Sequence, residues 1–328
     1  ITNASVIGEE YVSFVISCSY DSDIASCSVL SSTIIGQETV GGIVAYSEGE
    51  ESHITNCYIT SSTLTAYDYS LGGIVCNNDE GEILNCHADN IRMSGYSYTG
   101  GIVSSNGGLV NNCFVECSNI DSYEHSGGVV SSNLGYITNC YAANVTITGD
   151  RCIAGLVDSS DGTASCCYVI NSEITGNQQV GGFIGGCEYA TCENCYVLNT
   201  TVSGVQDVGG FAGGNYYSGH VNNCYVANIT VTATTNVGVL LGYNDWNGFS
   251  SDCFAAGTIT INGDSSDIDM KLVGYDDGGY LENLYYCPNG YSDFTLKESH
   301  NDWNATFWNL TSMVDGLNLP DLVALPRP

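Results

Sequence analysis

Residues 137–149 read ITNCYAANVTITG, and the chain writes variants of that line again at 192–204 (CENCYVLNTTVSG) and 221–233 (VNNCYVANITVTA). Each has Asn-Cys-Tyr, an Asn four residues after the Cys, and a Gly or Ala five residues further on. Aligned on the Cys, the copies fall at Cys27, Cys57, Cys86, Cys113, Cys140, Cys167, Cys195, Cys224 and Cys253, with Leu284 in the next, at spacings of 27 to 31 residues. A Gly pair precedes most copies, as at Gly41-Gly42, Gly72-Gly73, Gly100-Gly101, Gly127-Gly128, Gly181-Gly182 and Gly209-Gly210.

A period of this length with short β-branched segments predicts an all-β chain. The expected fold is a single-stranded parallel β-solenoid (β-helix) of about ten coils, three short strands per coil, rising about 4.8 Å per coil. Helical repeats need amphipathic stretches of ten residues or more, and the copies contain none. The expected organisation is a partial first coil over 1–12, the repeat array over 13–286 and a C-terminal cap or docking segment over 287–328.

In a solenoid each repeated letter becomes a ladder of like side chains. The Asn before each Cys is placed at a bend, where Asn tolerates left-handed backbone. Strand alternation puts the Cys and the residue two later inside, with Cys acting as a small hydrophobe. The residue between them then points outward, forming a candidate binding stripe of Tyr58, Phe114, Tyr141, Tyr168, Tyr196, Tyr225, Phe254 and Tyr285. Flat rings stack on sugars or on one another, and self-stacking is the preferred reading.

The line VGGIVAYSEG…ITNCYITSSTLTA (Val40 to Ala66) resembles the GLUG-motif repeats, and the resemblance extends over roughly residues 9–286. These glycine-rich modules occur in tandem in secreted and surface-attached proteins, including adhesins. The resemblance implies an architecture and a surface location, not an activity.

Composition narrows the partners. Lys and Arg number 5 against 36 Asp and Glu, for a net charge of −31. A surface this acidic repels nucleic acid and anionic membranes, and no apolar run is long enough for membrane insertion. The chain starts at Ile1 rather than Met, which reads as a mature chain whose leader has been removed. Sequons at Asn3, Asn144, Asn199, Asn228, Asn304 and Asn309 point to N-linked glycans and an extracellular location. Asn3 to Gly8 aligns with Asn144 to Gly149, so the first coil is incomplete; Ile1, Asn3, Val6 and Ile7 form a candidate assembly edge for a head-to-tail homopolymer.

The 17 cysteines divide into the ladder and eight others. Ladder neighbours about 4.8 Å apart exceed the usual 3.5–4.5 Å between bridged Cβ atoms, so they are expected as free buried thiols. Cys187 and Cys192 are the best local disulfide candidates. Cys152 falls off the ladder, and His53, His87, His125, His220 and His300 are scattered, as are Arg92, Arg151, Lys271, Lys297 and Arg327. No catalytic or metal-ligand constellation emerges, so the chain reads as a non-enzyme without a cofactor. Calcium at Gly263 to Asp269 or Asp276-Asp277 is the weaker option. The function read first is a structural protomer of an extracellular filament or surface layer. Second comes an adhesin that binds carbohydrate through the aromatic stripe, and third a polysaccharide-acting β-helix enzyme.

Overall fold

Two-residue alternation sets the first sheet. In Tyr58–Thr60 only the central Ile59 is fully buried, and its flanking residues are half-buried. Three such segments follow one another in each turn, for example His53–Thr55, Tyr58–Thr60 and Thr63–Ala66. A residue with positive φ separates them, such as Asn56 at 54° and Ser61 at 51°. The turn then closes through two further short strands, Leu71–Gly72 and Val75–Asn78.

The computed structural model describes residues 1–261, 272–287, 308–309 and 321–322. Successive turns pair in parallel with nearly constant register: Tyr58 lies opposite Ser28 on one side and His87 on the other. Repetition builds three parallel sheets along about nine turns, and every turn contributes to each. The fold is the expected all-β parallel solenoid. Towards its C-terminal end the separate segments merge into longer strands, Tyr225–Ala233 and Phe249–Ile261, which pair through a register irregularity between Ala227 and Ile229. The C-terminal strands Trp308–Asn309 and Asp321–Leu322 form an antiparallel pair. Among the described residues no helix is long and apolar enough to cross a membrane.

The core is a set of parallel columns. One runs Ile54, Ile83, Val110, Ile137, Ala164, Cys192 and Val221, all fully or almost fully buried. The Gly pairs sit where these columns leave no room. A Cβ on Gly72 would stand 1.7 Å from the Val75 carbonyl oxygen, and one on Gly73 1.9 Å from that of Gly101.

A buried polar column lies beside them. Asn78 Nδ2 donates to Asn106 Oδ1 at 2.9 Å, Asn106 Nδ2 to Asn133 Oδ1 at 2.8 Å, and Asn133 Nδ2 to Ser160 Oγ at 3.2 Å. Further along, Asn215 donates to Asn244 at 3.0 Å and Asn244 to Asp276 at 2.9 Å. Each of these amide nitrogens donates to a neighbour one turn away, which offsets the desolvation cost of burying it, while Asn78 Oδ1 and Asn215 Oδ1 at the start of each run are buried without a partner among the described residues.

Candidate functional site

The Asn-Cys step is a turn lock. Asn139 takes φ 54°, and the Cys140 thiol that follows donates to the Thr138 carbonyl at 3.2 Å. The same sulfur accepts the Cys113 backbone N–H of the preceding turn at 3.4 Å. The next corner repeats the device with a hydroxyl. After left-handed Ser61, Ser62 Oγ donates to the Thr60 carbonyl at 2.9 Å and accepts the Ser32 N–H at 3.1 Å. Ser118, Ser172 and Thr200 occupy the same place. Thiol and hydroxyl thus do one job at two corners.

None of the sixteen cysteines whose side chains are described is bonded to another. The candidate pair Cys187 and Cys192 is unbonded here, with the two thiols in hydrogen-bond contact. Each of the two fills a different column: Cys187 pairs with Ser160 and Asn215 in the asparagine column, and Cys192 with Ala164 and Val221 in the apolar one.

The aromatic stripe is a stack. Centroids are 4.9 Å apart for Phe114–Tyr141, 4.8 Å for Tyr141–Tyr168, 4.9 Å for Tyr168–Tyr196 and 5.0 Å for Tyr196–Tyr225, with planes within 6°. His87 completes it between Tyr58 and Phe114, at 5.1 and 4.8 Å. Its place directly after Cys86 was the signal for it in the sequence. Tyr58, Phe114 and Tyr141 are half-buried, but Tyr168, Tyr196, Tyr225 and Phe254 are buried, so the expected outward-facing stripe is covered over half its length. Ring faces within the stack are occupied by neighbouring rings, leaving edges to any ligand. By backbone pairing Tyr285 aligns with Phe254; its side chain, the side chain of Asn309, and all of Asn304, His300, Lys271, Lys297, Arg327 and Gly263 to Asp269 lie outside the described residues.

The other sequon asparagines stand at left-handed corners: Asn3 at φ 52°, Asn144 at 54°, Asn199 at 52° and Asn228 at 48°. Asn3, Asn144 and Asn228 are exposed and Asn199 half-buried. Asn199 Nδ2 donates to Asn171 Oδ1 at 3.1 Å and Asn228 Nδ2 to Asn199 Oδ1 at 2.7 Å, so the acceptor nitrogens of two sequons are engaged in a ladder. Val6 is half-buried and Ile7 is exposed on Ser5–Ile7, which pairs with Thr33–Gly36. Asp276 accepts from Asn244 and from Gly279 N–H at 3.0 Å, so its carboxylate is part of a turn.

One corner gathers chemistry that the sequence keeps apart. Its left-handed column contains Tyr98, His125, Cys152, Gln179, Asp207 and Asn236, with φ between 45° and 56°. Such backbone in Tyr, His, Cys and Gln costs roughly 1–2 kcal/mol per residue and marks a position held by its surroundings. The His125 ring stacks on Tyr98 at 4.7 Å and 4°. His125 Nδ1 lies 2.9 Å from Oδ2 of Asp158, which belongs to the adjacent strand Val157–Ser160 and is fully buried. The Cys152 thiol donates to Gln179 Oε1 at 2.9 Å, and Gln179 Nε2 donates to the Tyr216 hydroxyl at 3.1 Å.

Burial raises the Asp158 carboxyl to about 7 despite the hydrogen bond from His125, and that same bond holds the imidazole above its ordinary value. Burial and the nearby Asp158 charge push the Cys152 thiol well up, so it is no activated nucleophile. Glu188 is raised as well, chiefly by burial. Asp158 escaped notice in the sequence because 33 residues separate it from His125. Its one available sign is the replacement of Ser104 and Ser131, whose hydroxyls donate to the Tyr98 and His125 carbonyls at 2.6 and 2.8 Å.

A second corner is open. Exposed Tyr96 and Tyr123 stack at 5.4 Å, and the next turn supplies Asp150 rather than a ring. The groove there is lined by Gly95, Asp121, Tyr123, Thr148 and Asp150.

The Gly pair at Gly209-Gly210, the Asn223-Cys224-Tyr225 turn lock and the strand after them coincide with a recognised module. Residues 204–232 match the GLUG motif. The same Gly pair, turn lock and third segment recur in most of the other turns, so the chain is consistent with a GLUG-repeat protein. No curated protein and no solved structure matches it. A GLUG solenoid fits a repeat-containing surface protein.

Proposed function

We propose that the chain is a rigid structural element of an extracellular filament or surface layer, joined lengthwise through its open coil edges. The observation that carries this reading is the aromatic stack: its faces are spent on neighbouring turns, which stiffens the rod. Strands Ser5–Ile7 and Val12–Ser13 pair with Thr33–Gly36 and Val40–Gly41 in the same parallel register that a coil of a second copy would continue. N-linked glycans at Asn144 and Asn228 would stand along one corner of the rod and limit lateral association. Electron microscopy of the purified chain at micromolar concentration tests the proposal. Fibres with an axial repeat near 45 Å, about nine turns at about 4.8 Å, are expected. Dispersed single rods at every concentration would sink it.

A second reading, an adhesin that binds carbohydrate, is favoured by the open corner rather than the stripe. Tyr123 ends its stack, and Asp121 and Asp150 flank the groove with acceptors for sugar hydroxyls. On a glycan array, binding that is lost in Tyr123→Ala supports it, and a blank array removes it.

A further inference from the structure

We infer that His125, Cys152 and Asp158 form a binding site for one zinc-class divalent metal ion. One ligand atom from each of the three lies within 4.8 Å of the others. Ligand atoms around a tetrahedral zinc stand about 3.3–3.8 Å apart, so closing the site needs side-chain movement of about 1 Å, not a backbone change. The donor set of imidazole, thiolate and carboxylate is the borderline-soft mixture that zinc, cobalt and nickel accept and that calcium and magnesium do not.

A second observation points to a missing partner. Asp158 Oδ2 faces His125, while Oδ1 is buried with no hydrogen-bond partner among the described residues. A buried carboxylate oxygen left unmatched costs free energy unless a proton or a cation covers it. Oδ1 faces Gly185 of the next turn, where even an added Cβ would stand 2.8 Å away, too close for a side chain that could cover it. His125 and Cys152 are half-buried, which gives an ion a route in.

The charges balance. A divalent cation displaces the thiol proton of Cys152 and the proton shared by His125 and Asp158. The dication then sits with one thiolate, one carboxylate and a neutral imidazole, a neutral set. Arg151 is the exposed cation beside the site, and the fields of Glu124 and Glu188 oppose it. Three protein ligands leave a fourth position for water or a ligand atom from outside.

The test uses the full chain stripped with EDTA and dialysed. Zinc is titrated against a chromogenic chelator, and Co2+ is added separately to read the thiolate-to-cobalt charge-transfer band in the near ultraviolet. One ion per chain with that band is expected. Cys152→Ser should abolish the band, and it, His125→Gln and Asp158→Asn should each weaken zinc at least tenfold. Circular dichroism and melting of the metal-free variants identify those that keep the fold, and the exposed edge of His125 makes His125→Gln the safest comparison. A band that persists unchanged in Cys152→Ser assigns the ion to other thiols and overturns the proposal. So does a chain that retains no stoichiometric zinc, or a folded His125→Gln with undiminished affinity.

Discussion

At the scale of single residues, the recurring Cys works as a hydrogen-bonding corner. Its sulfur joins the carbonyl two residues back to an N–H one turn away, as the serine hydroxyls do at the next corner. Cys140→Ser should therefore be tolerated within about 1 kcal/mol, whereas Cys140→Ala leaves the buried Cys113 N–H without its acceptor and should cost about 1–3 kcal/mol. Urea unfolding of the two variants separates these outcomes; equal losses would mean that packing volume alone matters.

His125 and Asp158 make a second residue-scale prediction, for chelator-treated protein. Burial moves Asp158 from 3.8 to about 7, and the bond to Asp158 raises His125. The native state therefore holds protons that the unfolded chain has released. Stability from this pair is greatest at low pH and falls as pH rises from about 4 to above 7. The carboxyl's move alone accounts for roughly 4 kcal/mol of that loss. Asp158→Asn should flatten the fall in the unfolding midpoint across that window, and an unchanged slope would place its origin elsewhere.

At the scale of elements, the strands are short and each is held by its ladder. Asn106 accepts from Asn78 and donates to Asn133 and to the Gly108 carbonyl at 3.0 Å. Asn106→Leu keeps the volume but strands two buried amides, at about 1–3 kcal/mol each. Asn106→Ser should lose less, because Ser160 already serves in that column. Denaturant midpoints that rank leucine above serine would contradict the ladder. This column was not legible beforehand: a polar residue on a strand reads as facing solvent, and only pairing with the same residue one turn away makes its burial affordable. The Asn-Cys corner was legible, since its backbone preference is local and the period repeats it.

At the scale of the whole molecule, charge governs association. The edge side carries exposed Glu9, Glu10, Asp21 and Asp23, and the far described turn exposed Asp276, Asp277 and Glu282. Surfaces of like sign repel when copies meet, and a net charge of −31 adds to the effect. Lengthwise assembly should therefore strengthen between 0.02 and 0.5 M NaCl, as the screening length drops from about 20 to about 4 Å. Sedimentation at both salts reads this, and association strongest at low salt would mean that the ends are not what join.

The sequence by itself determined the period, the parallel solenoid, the left-handed corners and the inward Cys, because each follows from backbone preference repeated every turn. It also placed the aromatic column but not its covering, which depends on how the turns around Tyr168 to Phe254 are packed. Only the tertiary structure decided that Cys187 and Cys192 belong to separate columns, and that Cys152, His125 and Asp158 meet. The physical reason is the same in both cases. Stacking turns about 4.8 Å apart makes neighbours of residues some 27 positions distant, and which side chains touch across that gap depends on register, not on spacing along the chain.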